Sequence, residues 1–176
     1  MKNNKNKFSV REMVLFSMLS VLMFCSKVVM APLANIHFVG VLTMVYTIAF
    51  RKKALIPIYL YVLLEGVFYG FTAWWVPYLY IWTILWGITM LLSKKLSPKI
   101  SAFVYPVVCG VHGLLFGVLW APAQALFMGF SFEQTLAWIA AGLYFDVLHG
   151  VSNLIAGVMI LPLSSFLIRL NNKKYM

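Results

Sequence analysis

Residues 144–157 read Tyr-Phe-Asp-Val-Leu-His-Gly-Val-Ser-Asn-Leu-Ile-Ala-Gly, inside an apolar run from about 135 to 168. In this stretch Asp146, His149 and Asn153 occur at i, i+3 and i+7, and a glycine follows at i+11. This spacing puts an acid, an imidazole and an amide on one face of a helix. A charge at the middle of a bilayer costs roughly 2.5 kcal/mol or more, so such a face avoids lipid. The stretch predicts a polar site inside a bundle of membrane helices.

The composition is that of an integral membrane protein. Of the 176 residues, 63% are hydrophobic and 10% are charged, and the mean hydropathy is +0.92, whereas a soluble domain carries about 25% charged residues. The formal charge of +10 would favour nucleic acid in a soluble protein. Here the basic residues lie between apolar runs, where they set topology. We therefore expect a multi-pass membrane protein, surrounded by lipid, with no nucleic-acid partner.

Apolar runs separated by charges, prolines and polar turns predict an all-α bundle of six transmembrane helices. The whole chain, residues 1–176, is predicted to form one membrane-embedded domain with a short basic tail over residues 1–10. Cys25 and Cys109 have no CxxC partner, so we expect buried thiols and no redox or zinc role. The predicted spans are residues 12–30, 37–50, 54–73, 78–92, 100–128 and 135–168.

The basic residues predict the orientation of the six spans. With this count, all the basic clusters fall on one side, and Lys27 is the exception, near the outer end of the first span. Because basic loops are cytoplasmic, both termini are expected in the cytoplasm. The clusters are Lys2, Lys5, Lys7 and Arg11; Arg51, Lys52 and Lys53; Lys94, Lys95 and Lys99; and Arg169, Lys173 and Lys174.

Four ionisable groups are predicted to share roughly one layer. Glu65 lies about eleven residues into the third span, near the middle of the membrane at about 1.5 Å per residue. His112 lies at a similar depth, and Asp146 and His149 lie slightly below the outer interface. Ionisable groups inside a membrane indicate a ligand or ion site. They could also form a structural network, in which Glu65 pairs with His112. Alternatively, Asp146 pairs with His149 in such a network.

Aromatic and small residues complete the predicted pocket. Trp and Tyr form belts at membrane interfaces in general, but here they concentrate on the outer side. Gly110, Gly113 and Gly117, at i, i+3 and i+7, predict close helix packing rather than function. The candidate substrate-binding residues are Glu65, Trp75, Tyr78, Trp82, His112, Trp120, Gln124, Tyr144, Asp146, His149 and Asn153.

The sequence motifs give little support for an enzyme. The chain contains no HExxH, GxSxG or P-loop pattern, and Asp146 with His149 alone does not make a metal site. We therefore expect no catalytic residue, no metal and no cofactor, and a protein that is not an enzyme. Three alternatives stay open: a small membrane enzyme using Asp146, His149 and Glu65, a non-transport scaffold, and a tryptophan-rich sensor of a porphyrin-like ligand.

The end of the chain resembles the S components of energy-coupling factor (ECF) vitamin transporters. Residues 145–157, followed by Leu-Pro-Leu at 161–163, are similar to the family's last-helix pattern of Asp-x-x-His-Ala/Gly-x-x-Asn with a later Gly and Pro-Leu. Residues 9–15 also resemble the family's start. The resemblance implies a multi-pass subunit of the bacterial cytoplasmic membrane that captures a water-soluble vitamin or precursor outside the cell. It also implies partners, namely a membrane T subunit and two cytoplasmic ATPases, which power uptake.

The resemblance further implies docking on the T subunit through small residues spaced Ala-x-x-x-Ala in the first span. The nearest match here is Ser17 with Val21, with Ser20 beside them.

The predicted aromatic pocket suits a flat heterocycle. Its charged residues do not decide whether the ligand is cationic or carries a carboxylate. Glu65, Glu133 and Asp146 would favour a cationic or donor-rich ligand such as thiamine, its pyrimidine precursor, a deazaguanine precursor or pyridoxine. Lys27 and His37 could equally meet a carboxylate, as in niacin or pantothenate.

Overall fold

The computed structural model describes residues 9–33, 35–94 and 96–172, and in these residues it is helical with no strand. Short 3-10 turns lie at Arg51–Ala54, Ala73–Trp75 and Gly157–Met159. The α-helices are α1 (Val10–Val29), α2 (Val39–Phe50), α3 (Leu55–Tyr69), α4 (Tyr78–Leu92), α5 (Pro98–Leu114), α6 (Phe116–Met128), α7 (Phe132–Ala156) and α8 (Ile160–Asn172).

Local sequence signals explain where several helices begin and end. Ser9 caps α1 in a reciprocal capping box with Glu12, and Ser131 caps α7 in the same way with Gln134. The second box starts α7 at residue 132, three residues before the predicted span. At the other end of α3, Gly70 has φ +92°, a conformation that side chains resist. Consequently α3 ends at residue 69, four residues before the predicted end of that span.

In the described part of the chain, four helical segments are long and apolar enough to cross a membrane, which fits an all-α membrane protein. The two longest correspond to the predicted fifth and sixth spans, and each is made of two helices. By contrast, α2 has 12 residues and a length of about 18 Å, shorter than a bilayer core of about 30 Å. The expectation that α2 and α3 also span the membrane stays a prediction. The four segments are Val10–Val29, Ala73–Leu92, Lys99–Met128 and Phe132–Asn172.

The short helix α2 forms the centre of the bundle. Residues 39–47 are all buried, and the helix contacts α4, α8, α5 and α1. Its sequence, VGVLTMVYTIAF, carries no charge on any face, as expected for a helix surrounded by protein. The hydroxyl of Tyr46 donates to the carbonyl of Leu19, 3.0 Å away, which ties α2 to α1.

Glycines hold α5 and α6 against α7, the helix that carries the polar stripe. A Cβ added at Gly110 would lie 3.2 Å from the carbonyl oxygen of Gly150, and one at Gly113 would lie 2.9 Å from that of His149. One at Gly117 would collide with the carboxylate of Asp146. The prediction that these glycines serve packing is confirmed, because a Cβ at each of them would press against α7.

Polar contacts gather several helix ends at one end of the bundle. Lys53 forms an ion pair with Glu12, Arg51 donates to the hydroxyl of Ser93, and Arg11 donates to the carbonyl of Leu170. The start of α1 thus lies beside the ends of α2, α4 and α8. The cytoplasmic assignment of this end stays a prediction. Of the residues on which it rests, Lys2, Lys5, Lys7, Lys95, Lys173 and Lys174 lie outside the described residues, as does most of the tail over 1–10.

Two expectations about which side chains of α1 are exposed or buried are not met. Ser17, Val21 and Cys25, spaced four residues apart, are all exposed, so Cys25 is not the buried thiol that we expected. Ser20 is 1% exposed and donates to the carbonyl of Phe16, so it faces the bundle interior rather than a docking surface. Cys109, by contrast, is buried.

Large apolar side chains cover the outside of the bundle. Leu126, Phe132 and Phe103 are 81%, 78% and 74% exposed. Water-soluble monomers rarely expose apolar surface on this scale, so the outside of the bundle suits lipid.

Candidate functional site

A cavity of about 320 Å³ lies at the end of α1 opposite the Glu12–Lys53 pair, and we call it the aromatic cavity. Residues 30, 31, 33, 35 and 36, from the connection between α1 and α2, form one wall. This volume is at the small end of the range of about 300–1,000 Å³ that is usual for ligand pockets. Its remaining lining residues are Lys27, His37, Tyr69, Tyr78, Phe116 and His149.

Lys27, which lines the cavity, forms an ion pair with Glu65, which is buried behind it. The Lys27 Nζ lies 2.5 Å from Oε2 of Glu65 and 3.2 Å from the hydroxyl of Tyr78. The Glu65 side chain is fully buried, whereas that of Lys27 is 23% exposed. The ammonium also lies 4.9–6.0 Å from the ring centres of Tyr69, Trp74 and Tyr78, within cation–π range. The pair therefore presents its positive partner to the cavity.

This pair overturns one structural alternative, and the end of α3 changes the position of Glu65 within its helix. Glu65 does not pair with His112, whose Nε2 lies 3.2 Å from the carbonyl oxygen of Ile81. Because α3 ends at residue 69, Glu65 lies about one turn from its end, as Lys27 does in α1. Glu65 is therefore nearer the end of its helix than predicted.

A continuous cluster of aromatic rings lines and supports the cavity. Trp82, which is 1% exposed, stacks on Tyr78 at 6.0 Å and contacts His112 and Phe116 at 5.8 Å. Trp120 meets Tyr78 edge-on at 5.2 Å. These rings belong to α4, α5 and α6, which places four predicted site residues in one cluster.

His149 joins this cluster from α7. Its ring contacts those of His37 and Phe116, each with centroids 4.8 Å apart. It is 1% exposed, and neither of its ring nitrogens has a hydrogen-bond partner in the described protein. Leaving a buried polar atom unsatisfied costs on the order of 1–3 kcal/mol. His149 therefore has unused hydrogen-bonding capacity beside the cavity.

Asn153 lies one helical turn further along α7 and is also unsatisfied. It is fully buried, and neither amide atom has a hydrogen-bond partner among the described residues. A Cβ atom added at Gly113 would lie 2.9 Å from the Asn153 Nδ2, and one added at Gly40 would lie 3.3 Å from it. The amide is thus enclosed between α5, α2 and α7, and the predicted inward orientation of the polar stripe is confirmed.

The hydrogen-bond partner of Asp146 is not His149, the partner that the sequence suggested. Its Oδ1 accepts a hydrogen bond of 3.0 Å from the backbone amide of Gly117, in the first turn of α6. A carboxylate is favoured there because the first amides of a helix are unsatisfied and carry partial positive charge. Asp146 therefore does not pair with His149. It lines an adjoining cavity of about 340 Å³ that shares Asn35 with the aromatic cavity.

Three other predicted site residues are not among those that line the aromatic cavity. The Trp75 Nε1 donates to the carbonyl of Val62 at 2.7 Å, in a separate groove beside α3. Gln124 is half-buried, about one turn beyond Trp120 on α6. Tyr144 is 67% exposed and contacts Phe145, because it lies off the buried face of α7.

Sequence reasoning missed Tyr69 and Trp74, which surround the Lys27 ammonium. Both come just after the mid-span acid, in the region predicted as the end of the third span. The available signal was a lone lysine in the first predicted span and a lone glutamate in the third. A buried charge requires an opposite charge nearby, and these two are the simplest partners.

The groups around the aromatic cavity are suited to binding a small molecule. Among the described residues, no three His, Cys, Asp or Glu side chains are placed to hold a metal ion. The aromatic cavity offers flat apolar walls, one ammonium and imidazoles that can each donate and accept when neutral. These groups can hold and orient a small planar molecule.

Comparison of the chain with known protein families, curated proteins and solved structures finds no match in any of the three.

Proposed function

We propose that the chain is the substrate-capture subunit of an ECF-type importer. It binds a small water-soluble vitamin or vitamin precursor in the aromatic cavity and delivers it to a membrane T subunit with two cytoplasmic ATPases. In this proposal all six predicted spans cross the membrane and both termini lie in the cytoplasm. The aromatic cavity then lies towards the outside, because it is at the opposite end of α1 from the start of the chain.

The observation that carries the proposal is the unsatisfied imidazole of His149 at an aromatic cavity. No described residue satisfies the two ring nitrogens of His149, so they can bond to a molecule in the cavity. A ligand that hydrogen-bonds to this ring also gains the stacking of Phe116 and Tyr78. Both contributions favour a flat heterocycle with polar atoms at its edge.

A structural role without a ligand is the second candidate, and two contacts favour it. The Lys27–Glu65 pair and the Asp146–Gly117 hydrogen bond satisfy buried charges within the protein. If the remaining polar groups also serve only to pack helices, no small molecule will bind.

A thermal-shift screen of the detergent-purified chain against water-soluble vitamins and precursors separates the two candidates. A ligand at about a thousandfold excess over its Kd stabilises by about 4 kcal/mol, so we expect a clear rise in Tm for one compound. His149→Phe keeps a planar ring but removes both polar atoms, so it should lose this rise. Tyr144→Phe, at an exposed ring, is the matched control and should keep it.

The transport step is tested separately by uptake into cells. We expect labelled ligand to accumulate only when the chain is produced together with the T subunit and both ATPases. If no compound changes the Tm of the wild type, the ligand-binding proposal fails and the structural role is favoured. Binding without any ATP-dependent uptake would contradict the transport part of the proposal.

A further inference from the structure

We infer that the ligand of the aromatic cavity is a small planar ring compound that carries a carboxylate, with Lys27 as the carboxylate-binding residue. The inference rests on the proposed function and specifies its substrate class. It chooses between the cationic and carboxylate ligands that the sequence left open.

The charge that faces the cavity is positive. Of the described lining residues, Lys27 is the one with a full charge, and its partner Glu65 is buried behind it and does not line the cavity. A ligand therefore meets the ammonium before it meets the carboxylate. Asp146 lines the adjoining cavity, where the amide of Gly117 already binds one of its oxygens.

The ammonium retains one donor for a ligand. A lysine ammonium has three N–H groups, and two of them bond to Glu65 and to the hydroxyl of Tyr78. The third has no acceptor among the described residues. Since the side chain remains 23% exposed and lines the cavity, this donor is available to a ligand oxygen.

The other walls of the cavity select a ring rather than a flexible acid. The ring of Phe116 and the imidazoles of His37 and His149 form an aromatic wall of the cavity. The planes of the two imidazoles are inclined at 67° to each other. A ring nitrogen, carbonyl or N–H of the ligand can be matched by His149, whose neutral imidazole has one donor and one acceptor. The small volume limits the ligand to a few rings at most.

Glu65 limits the charge that the site accepts. Its carboxylate offsets most of the ammonium charge, so a singly charged carboxylate fits better than a dianionic group. Removing Glu65 while keeping Lys27 should therefore strengthen carboxylate binding. A purely structural lysine would not produce this effect.

Calorimetric titration of the purified full chain with matched acid and amide pairs tests the inference. The probes are nicotinate with nicotinamide, benzoate with benzamide, and indole-3-acetate with indole-3-acetamide. We expect at least one acid to bind about tenfold or more tighter than its amide, because a hydrogen bond to a charged partner is stronger than a neutral one. Lys27→Gln should remove this preference, and Glu65→Gln should increase the affinity for the acid.

Lys27→Gln leaves Glu65 buried without its partner and can fail to fold, so Lys27→Gln/Glu65→Gln is the second variant. This double variant removes both charges, keeps groups that hydrogen-bond, and should bind acid and amide equally. Lys53→Gln, at the basic end of the bundle, is the control and should keep the wild-type preference.

Three results would overturn the carboxylate assignment. They are amides that bind as well as their acids, a preference for acids that persists in the double variant, and a panel in which no acid binds. The proposed function fails differently, because it predicts that some compound binds and that His149 is needed. A neutral or cationic ligand that depends on His149 but not on Lys27 would refute only the substrate class.

Discussion

Breaking the Lys27–Glu65 ion pair should destabilise the bundle far more than breaking the Lys53–Glu12 pair. The Glu65 side chain is fully buried, so Lys27→Met leaves a carboxylate without its partner in the interior. Removing one partner of a buried pair costs about 3–5 kcal/mol. In the exposed pair the side chains are 52% and 29% exposed, and such pairs contribute about 0.2–1 kcal/mol.

These free energies correspond to measurable shifts in Tm. For a chain of this size about 1 kcal/mol corresponds to about 2–4 °C. Lys27→Met should therefore lower Tm by on the order of 10 °C, and Lys53→Met by about 4 °C or less. Glu65→Met should cost less than Lys27→Met, because the lysine left behind can reach the cavity.

Thermal unfolding of the purified variants, followed by near-ultraviolet circular dichroism, measures both pairs under one condition. The double variant Lys27→Met/Glu65→Met should recover most of the loss, since replacing both charges of a buried pair by apolar groups is often neutral. Equal coupling energies for the two pairs, from double-mutant cycles, would refute the reasoning. So would a double variant that is less stable than Lys27→Met.

Two further predictions concern contacts made by α7, and one concerns the limits of the site. Gly113→Ala should destabilise by about 1–3 kcal/mol, because its Cβ would contact α7 backbone at 2.9 Å, whereas Gly87→Ala, with open space, should not lower Tm. Asp146→Ala should cost about 1–3 kcal/mol in thermal unfolding by depriving the Gly117 amide of its acceptor. Asp146→Asn, which keeps an acceptor, should cost less, and a larger loss for Asn would contradict this role. Tyr144→Ala should leave ligand affinity unchanged in calorimetric titration, and a tenfold loss would place that ring in the site.

Much of the fold could be predicted from local patterns. The bounds of α4 agree with the predicted span at both ends, because Pro77 and the basic turn after Leu92 delimit it. The spacing of Asp146, His149 and Asn153 correctly predicted a buried face, because a membrane helix cannot turn such groups to lipid.

Other features depend on contacts between distant residues, which one sequence does not display. Nothing local shows that α2 lies at the centre, since an apolar helix can face either protein or lipid. The chain breaks between α5 and α6 at Leu115, and a leucine gives no signal that a helix ends there. Which residue can pair with Glu65 depends on where α3 ends. That end is set by Gly70, which has a positive φ.

The central claim is that the aromatic cavity holds a small molecule with the help of His149. Native mass spectrometry of the chain, purified gently from cells grown in rich medium, tests it most directly. We predict one small molecule per chain in the wild type and none in His149→Phe, with Tyr144→Phe retaining the wild-type mass. A wild type that carries nothing after exposure to the vitamin panel, or a His149→Phe variant that retains the same compound, would contradict it.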